Sequence, residues 1–333
     1  MTRIAILGAG SWGTALAVVL SRSPRPHEIS LWARDAQLAQ EIASKRENPK
    51  YLAGVGLPRE IQVTHKLQDA TRGASIVVGA MPSAHARNIY AAAAQGITRD
   101  AAVVSATKGL EPSTHARMSQ IIVRAVPNAN PRIAVLSGPS FALEVAKGAP
   151  TAAVVASNDA ALAAELQEEF AAPNFRLYSN DDVLGVELAG AMKNVIAIAA
   201  GTCQGLGLGA NTLAALITRG LAEMSRLAAA LGARPETLSG LAGLGDLVLT
   251  CNGSLSRNRH VGVELAKGRS LHEIVAGMPG VAEGVGTAAA LLALAAENSV
   301  ELPIIAQVEA ILHAGKSPRD AIREIMDRPQ RRE

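Results

Sequence analysis

The stretch RIAILGAGSWG, residues 3–13, decides how this chain folds. RIAIL (3–7) reads as a short buried strand, and TALAVVLSRS (14–23) reads as a helix. Between them Gly8, Gly10 and Gly13 fall in G-x-G-x-x-G spacing. In that context Gly8 permits the tight turn, Gly10 lets backbone approach a pyrophosphate, and Gly13 packs helix on strand. The helix N-terminus adds unpaired amides and a positive dipole end. The stretch predicts a dinucleotide-binding loop, with Ser11 and Trp12 among its cofactor contacts.

Outward from this loop, six more β-rich runs follow: 28–33, 75–80, 102–106, 132–137, 151–157 and 175–179. Apolar runs alternating with helical segments predict βα units around a mostly parallel sheet buried on both faces. Residues 46–60, rich in turn formers, predict an excursion beside that sheet. After about residue 181 strand signals largely disappear. Helix patterns cover 211–232, with Gly232 as a C-terminal stop, and then 256–267, 282–297, 303–314 and 317–326. The expectation is an α/β Rossmann-type domain over 1–188 and an all-α, substrate-binding domain over 189–333. Ligands of such folds bind in clefts, which predicts a site between the two domains.

Composition narrows the function. Hydrophobic residues are 49% and charged residues 18%, the balance of a folded globular chain. A net charge of +3 and 2% aromatics leave neither the footprint nor the stacking surface for nucleic acid. Cys203 and Cys251 form no C-x-x-C pair, so no metal site is expected and the chain reads as cytoplasmic. The start MTRIAILGAG lacks the features of a signal peptide. No charged residue lies between Lys193 and Arg219, a length that could span a membrane. QGLGLGAN (204–211) interrupts it, which predicts two core helices and no membrane span.

Within the first of these helices, GAMKNVIAIAAG (190–201) buries Lys193 and Asn194 in an apolar run. A buried lysine must be paired or lose its charge, so the amine there predicts a use. After the second strand, LWARDAQ offers Arg34 for a ribose 2′-phosphate, favouring NADP with NAD tolerated. Asp35 beside it could serve a ribose hydroxyl or simply cap the next helix.

Taken together, GAGSWGTALA (8–17), ATKGLE (106–111), SGPSFALEVAKGAPTA (137–152), GAMKNVIAIAAG (190–201), ALITRGLAEMSRL (215–227), GLGDLVLTC (243–251) and SRNRHVG (256–262) make a specific signature. In these blocks the chain resembles the bacterial NAD(P)-dependent glycerol-3-phosphate dehydrogenases. One departure is Gly286 in VAEGVGTA (281–288), where the family often carries a larger residue.

The resemblance implies reversible hydride transfer between NAD(P)H and dihydroxyacetone phosphate, giving sn-glycerol 3-phosphate for glycerophospholipid synthesis. It assigns Lys193 as general acid/base and Lys108 as second cation, touching substrate and cofactor. Asp246 and Thr250, four residues apart and so on one helix face, would orient the lysine and the substrate hydroxyls beside Asn194. Asp246 could alternatively be a helix N-cap. Ser256, Arg257 and Asn258 match the phosphate-binding positions, at a capped helix start suited to an anion. Arg259 and His260 read as a solvated basic turn. Gly138 and Ser140 resemble substrate contacts, and Arg34, Lys108, Ala142, Arg257, Val281 and Glu283 resemble cofactor contacts. A homodimer fits the family. The nearest alternatives are a β-hydroxyacid-type dehydrogenase, which would need a carboxylate pocket, and a non-catalytic dinucleotide sensor.

Overall fold

The computed structural model describes residues 1–127 and 132–329. The chain divides into two compact units. The first takes Met1–Glu111 and Ala116–Glu187; the second takes Pro112–His115 and the chain from Leu188.

In the first unit β1 (Thr2–Leu7) leads into α1 (Ser11–Leu20), and β2 (His27–Trp32) into α2 (Ala36–Lys45). β3 (Glu47–Asn48) and β4 (Leu52–Gly56) pair with each other as a separate antiparallel hairpin. The excursion expected at 46–60 is therefore itself structured. β5 (Gln62–Thr64), α3 (Leu67–Thr71), β6 (Ile76–Gly79) and α4 (Ala86–Ala93) follow. Then come β7 (Ala102–Ser105), α5 (Met118–Ala125), β8 (Arg132–Ser137) and α6 (Ala142–Ala146). β9 (Thr151–Ala156), α7 (Ala160–Glu169) and β10 (Phe175–Asn180) close the unit.

Eight strands form one sheet in the order β10-β9-β8-β7-β6-β1-β2-β5. Every neighbouring pair is parallel except β8 with β9. Alternation along β1 sends Ile4 and Ile6 into one core and Ala5 and Leu7 into another, so both faces are covered. The chain runs from β1 outward through β2 to β5, then returns to β6 on the other side of β1. That reversal puts the glycine turn at a topological switch point, where open α/β sheets take their ligands. β5 is a three-residue edge strand that the sequence does not announce.

The second unit is helical among the described residues. α8 (Val183–Gly205) supplies its residues up to Glu187 to the first unit and the rest to the second. It is long and apolar enough to cross a membrane, but 89% of its apolar window is buried. It ends at Gly205, as the glycine cluster predicts, and α9 (Ala210–Ala230) follows with Gly232 at φ +95°. α10 (Pro235–Ser239), a π-helical turn (Leu241–Gly245) and α11 (Asp246–Asn252) come next. The remainder is α12 (Arg257–Ala266), α13 (Leu271–Ala276), α14 (Glu283–Glu297), α15 (Pro303–His313) and α16 (Pro318–Met326).

Glu223 on α9 docks α15. Its buried carboxylate accepts from the amides of Ile304 (2.7 Å) and Ile305 (3.3 Å) at that helix's N-terminus. Burial nevertheless pushes its pKa from 4.5 up to about 7, against the pull of those amides. Between these values the folded chain holds a proton that the unfolded chain has released, so Glu223 makes stability fall as pH rises through this window. The full effect is roughly 3 kcal/mol. Glu223→Gln keeps an acceptor for α15 and removes the titration. The stability lost between pH 5 and pH 8 should therefore shrink by about that amount, as measured by urea unfolding. An unchanged pH slope contradicts it.

Candidate active site

The glycine turn is shaped by what its neighbours forbid. Gly8 has φ +124°, and a Cβ there would lie 2.7 Å from the Ala80 carbonyl oxygen. At Gly13 a Cβ would overlap the carbonyl oxygen of Gly8 itself. Gly10 differs: a Cβ there would meet nothing within 4 Å. Gly10 is the N-cap of α1, so its open side adjoins the helix's first amides, with Ser11 and Trp12 in the first turn. Open backbone at position 10 and closed packing at 8 and 13 fit the pyrophosphate of a dinucleotide.

Asn48 holds this turn, and sequence reasoning missed it. Its side chain is fully buried, with Nδ2 donating to the Ala9 carbonyl (2.9 Å) and Thr14 Oγ1 (2.8 Å). Its Oδ1 accepts from the Tyr51 amide at 3.1 Å. A single asparagine among turn residues carries no signal of a partner 39 positions away.

At the end of β2, Arg34 is exposed, whereas Asp35 is engaged. Its Oδ1 accepts from the amides of Gln37 (2.9 Å) and Leu38 (3.3 Å) and caps α2. Of the two readings of Asp35, capping is the one realised.

Lys108 follows β7. Its Nζ donates to the Gly138 carbonyl at 2.7 Å and reaches Ser140 Oγ at 3.5 Å. Gly138, just past β8, has φ +124°, and a Cβ there would press on the Ala153 Cα at 3.0 Å. The Lys108 turn is held from both sides. Thr107 Oγ1 donates to the Met81 carbonyl at 2.7 Å, and Glu111 accepts a two-pronged pair from Arg87 at 2.7 and 2.5 Å. Lys108, Gly138 and Ser140 thus come together, with Ala142 starting α6 close by in the chain.

The second unit assembles around Lys193. This residue is 7% exposed on α8, and its Nζ donates to Asp246 Oδ1 (2.9 Å) and Thr250 Oγ1 (2.7 Å). Asp246, 1% exposed, is the first residue of α11, and the N-cap is Gly245. The alternative reading of Asp246 as a cap is therefore overturned: its carboxylate is drawn to a buried ammonium. Thr250 Oγ1 also donates to the Asp246 carbonyl at 2.6 Å. A thiol lies among these groups, but burial pushes Cys251 up to about 12, so it stays protonated and offers no competing base.

Two of the predicted site residues, Asn194 and Asn258, tie the helices together with Gly284. Asn258 Nδ2 donates to Asn194 Oδ1 at 2.9 Å, and Asn258 Oδ1 accepts from the Gly284 amide at 2.9 Å. Each member stands one position after a predicted site residue: Lys193, Arg257 and Glu283. Ser256 caps α12, its Oγ accepting from Arg259 N at 3.2 Å. The Arg257 guanidinium lies against Gly280 (φ +121°), where a Cβ would collide with it, and Val281 next to it is exposed. Arg259 and His260 lie on α12 itself, which corrects the expectation of a turn.

A glycine turn fitted to pyrophosphate and a buried amine paired with a carboxylate and a hydroxyl define a nicotinamide-dependent oxidoreductase. Residues 3–163 match the family model described as NAD-dependent glycerol-3-phosphate dehydrogenase N-terminus, and residues 182–323 match the corresponding C-terminus. The chain belongs to the NAD-dependent glycerol-3-phosphate dehydrogenase family. It is 55% identical over 331 residues to glycerol-3-phosphate dehydrogenase [NAD(P)+] of Koribacter versatilis, covering 99% of this chain and 98% of that one. The enzyme of the same name from Acidobacterium capsulatum is 53% identical, with each chain covered in full. A crystal structure of glycerol-3-phosphate dehydrogenase from Coxiella burnetii superimposes with a TM-score of 0.93 at 38% identity, covering 98% and 99% of the two chains.

Proposed function

We propose that this chain catalyses the reversible reduction of dihydroxyacetone phosphate to sn-glycerol 3-phosphate, using NADPH by preference and NADH as well. The bound nicotinamide supplies the hydride to C2, or accepts it in the reverse direction. As the C2 carbonyl is reduced, charge develops on its oxygen, and the Lys193 ammonium stabilises that charge and gives up a proton. Asp246 and Thr250 hold Nζ in one orientation, so no side-chain freedom is lost when substrate arrives. Arg257 and the start of α12 bind the phosphate, and Lys108, Gly138 and Ser140 are assigned as substrate contacts. The observation that carries this reading is the buried Lys193–Asp246–Thr250 cluster in a chain of this family.

Loss of NADPH absorbance with dihydroxyacetone phosphate, set against carboxylate-bearing ketones and buffer, tests it. Turnover confined to the carboxylate-bearing ketones overturns it. The same proposal places the enzyme in the cytoplasm, supplying glycerophospholipid synthesis, and as a homodimer, which light scattering reads directly. The free thiols of Cys203 and Cys251 support a reducing compartment.

Cofactor preference follows from the end of β2. Because Asp35 is committed to its cap, Arg34 is the residue left to meet a 2′-phosphate. Arg34→Glu should move the ratio of kcat/KM from NADPH toward NADH by at least about tenfold, replacing an attraction with a repulsion. An unchanged ratio means Arg34 points elsewhere.

A further inference from the structure

The C-terminal ends of β1, β2 and β5 are joined in a row by three hydrogen bonds. Gly8 N donates to the Trp32 carbonyl at 3.1 Å, and Ala33 N donates to the Thr64 carbonyl at 2.9 Å. Trp32 Nε1 donates to the His65 carbonyl at 3.0 Å. Parallel neighbours stand about 4.8 Å apart, so the glycine turn, the residues after β2 and the residues after β5 occupy successive positions along one edge.

Trp32 pairs with Thr64 in register. Arg34 stands two residues beyond Trp32, and Lys66 stands two residues beyond Thr64, the matching position on the next strand. Lys66 N is fixed by Thr64 Oγ1 at 3.0 Å. Arg34, His65 and Lys66 are all exposed, and none has a side-chain partner among the described residues. The neighbouring carboxylates are occupied elsewhere: Asp35 caps α2, and Asp69 pairs with Arg72 at 3.1 Å. The row thus runs from a pyrophosphate turn to cations that no carboxylate among the described residues pairs with.

We propose that Lys66, assisted by His65, is a second reader of the adenosine 2′-phosphate alongside Arg34, which makes the end of β5 a determinant of cofactor specificity. This rests on the dinucleotide reading given above. A lysine suits the task because its flexible stem carries a point charge to an anion without demanding two-pronged geometry.

Calorimetric titration of the full-length protein with NADPH, NADH, adenosine 2′,5′-bisphosphate and 5′-AMP tests the proposal without turnover. Lys66→Gln should weaken NADPH and the bisphosphate by about three- to twentyfold, as expected for a partly screened charge-assisted contact. NADH and 5′-AMP should stay within about twofold, which also shows that the variant is folded. His65→Gln should move the same pair of ligands less, and Lys66→Arg should restore most of the loss. Equal effects on NADPH and NADH, or none on either, while Arg34→Gln still separates them, overturn the role of Lys66 alone. A wild-type protein that binds neither cofactor overturns the dinucleotide reading, and this proposal with it.

Discussion

Lys193→Met should leave NADPH binding nearly intact and lower kcat by at least about a hundredfold, the usual contribution of a positioned proton donor. Methionine keeps all but the last atom of the side chain, so α8 retains its packing while the proton and the charge are gone. Asp246 complicates the result, because the variant leaves its carboxylate buried at 1% exposure without its cation. Breaking one side of a buried pair costs about 3–5 kcal/mol of stability. The double variant Lys193→Met, Asp246→Asn separates the two effects: it should recover much of the stability and none of the turnover. Wild-type-like kcat in the single variant removes Lys193 from the chemistry.

Arg257→Ala should raise KM for dihydroxyacetone phosphate and lower kcat/KM by roughly ten- to a hundredfold, corresponding to about 1.5–3 kcal/mol for a charge-assisted hydrogen bond. The phosphate is remote from C2, so its binding energy serves to position the reacting carbonyl, and kcat should fall too. Unphosphorylated dihydroxyacetone provides the control, since its weak activity has no phosphate contact to lose. NADPH affinity is measured separately, because Arg257 is also assigned to the cofactor. Equal losses on both substrates after that correction mean that Arg257 is not the phosphate anchor.

The fold was legible where the sequence repeats a physical pattern. Seven apolar runs became seven strands of the main sheet, and the break at 204–211 separated α8 from α9. What escaped was short or shaped by distant contacts. Gln62–Thr64 is too brief to show alternation and is a strand because β2 offers it an edge. Pro235–Gly245 hides α10 and a π-helical turn behind three glycines. α13 was detectable: Ser270 and Glu273 form the reciprocal S-x-x-E cap, with Ser270 N donating to Glu273 at 3.0 Å. At the site, the spacing of Asp246 and Thr250 predicted a shared helix face. That Lys193, 53 residues earlier, meets that face follows from tertiary packing and reached the sequence reading only through resemblance.

The hairpin of β3 and β4 bears on how this chain could be shortened. Residues 46–60 look like the natural place to trim: an exposed-seeming, glycine- and proline-containing detour outside the main sheet. Yet the detour carries Asn48, whose amide grips Ala9 inside the glycine turn and Thr14 just after it. A deletion there would strip two hydrogen bonds from buried groups in a part of the chain it never touches. The eight-stranded sheet could survive such surgery with its order intact, while the turn at its switch point lost the brace that fixes its shape. In this scaffold the dispensable-looking ornament is the one that a minimal version has to keep.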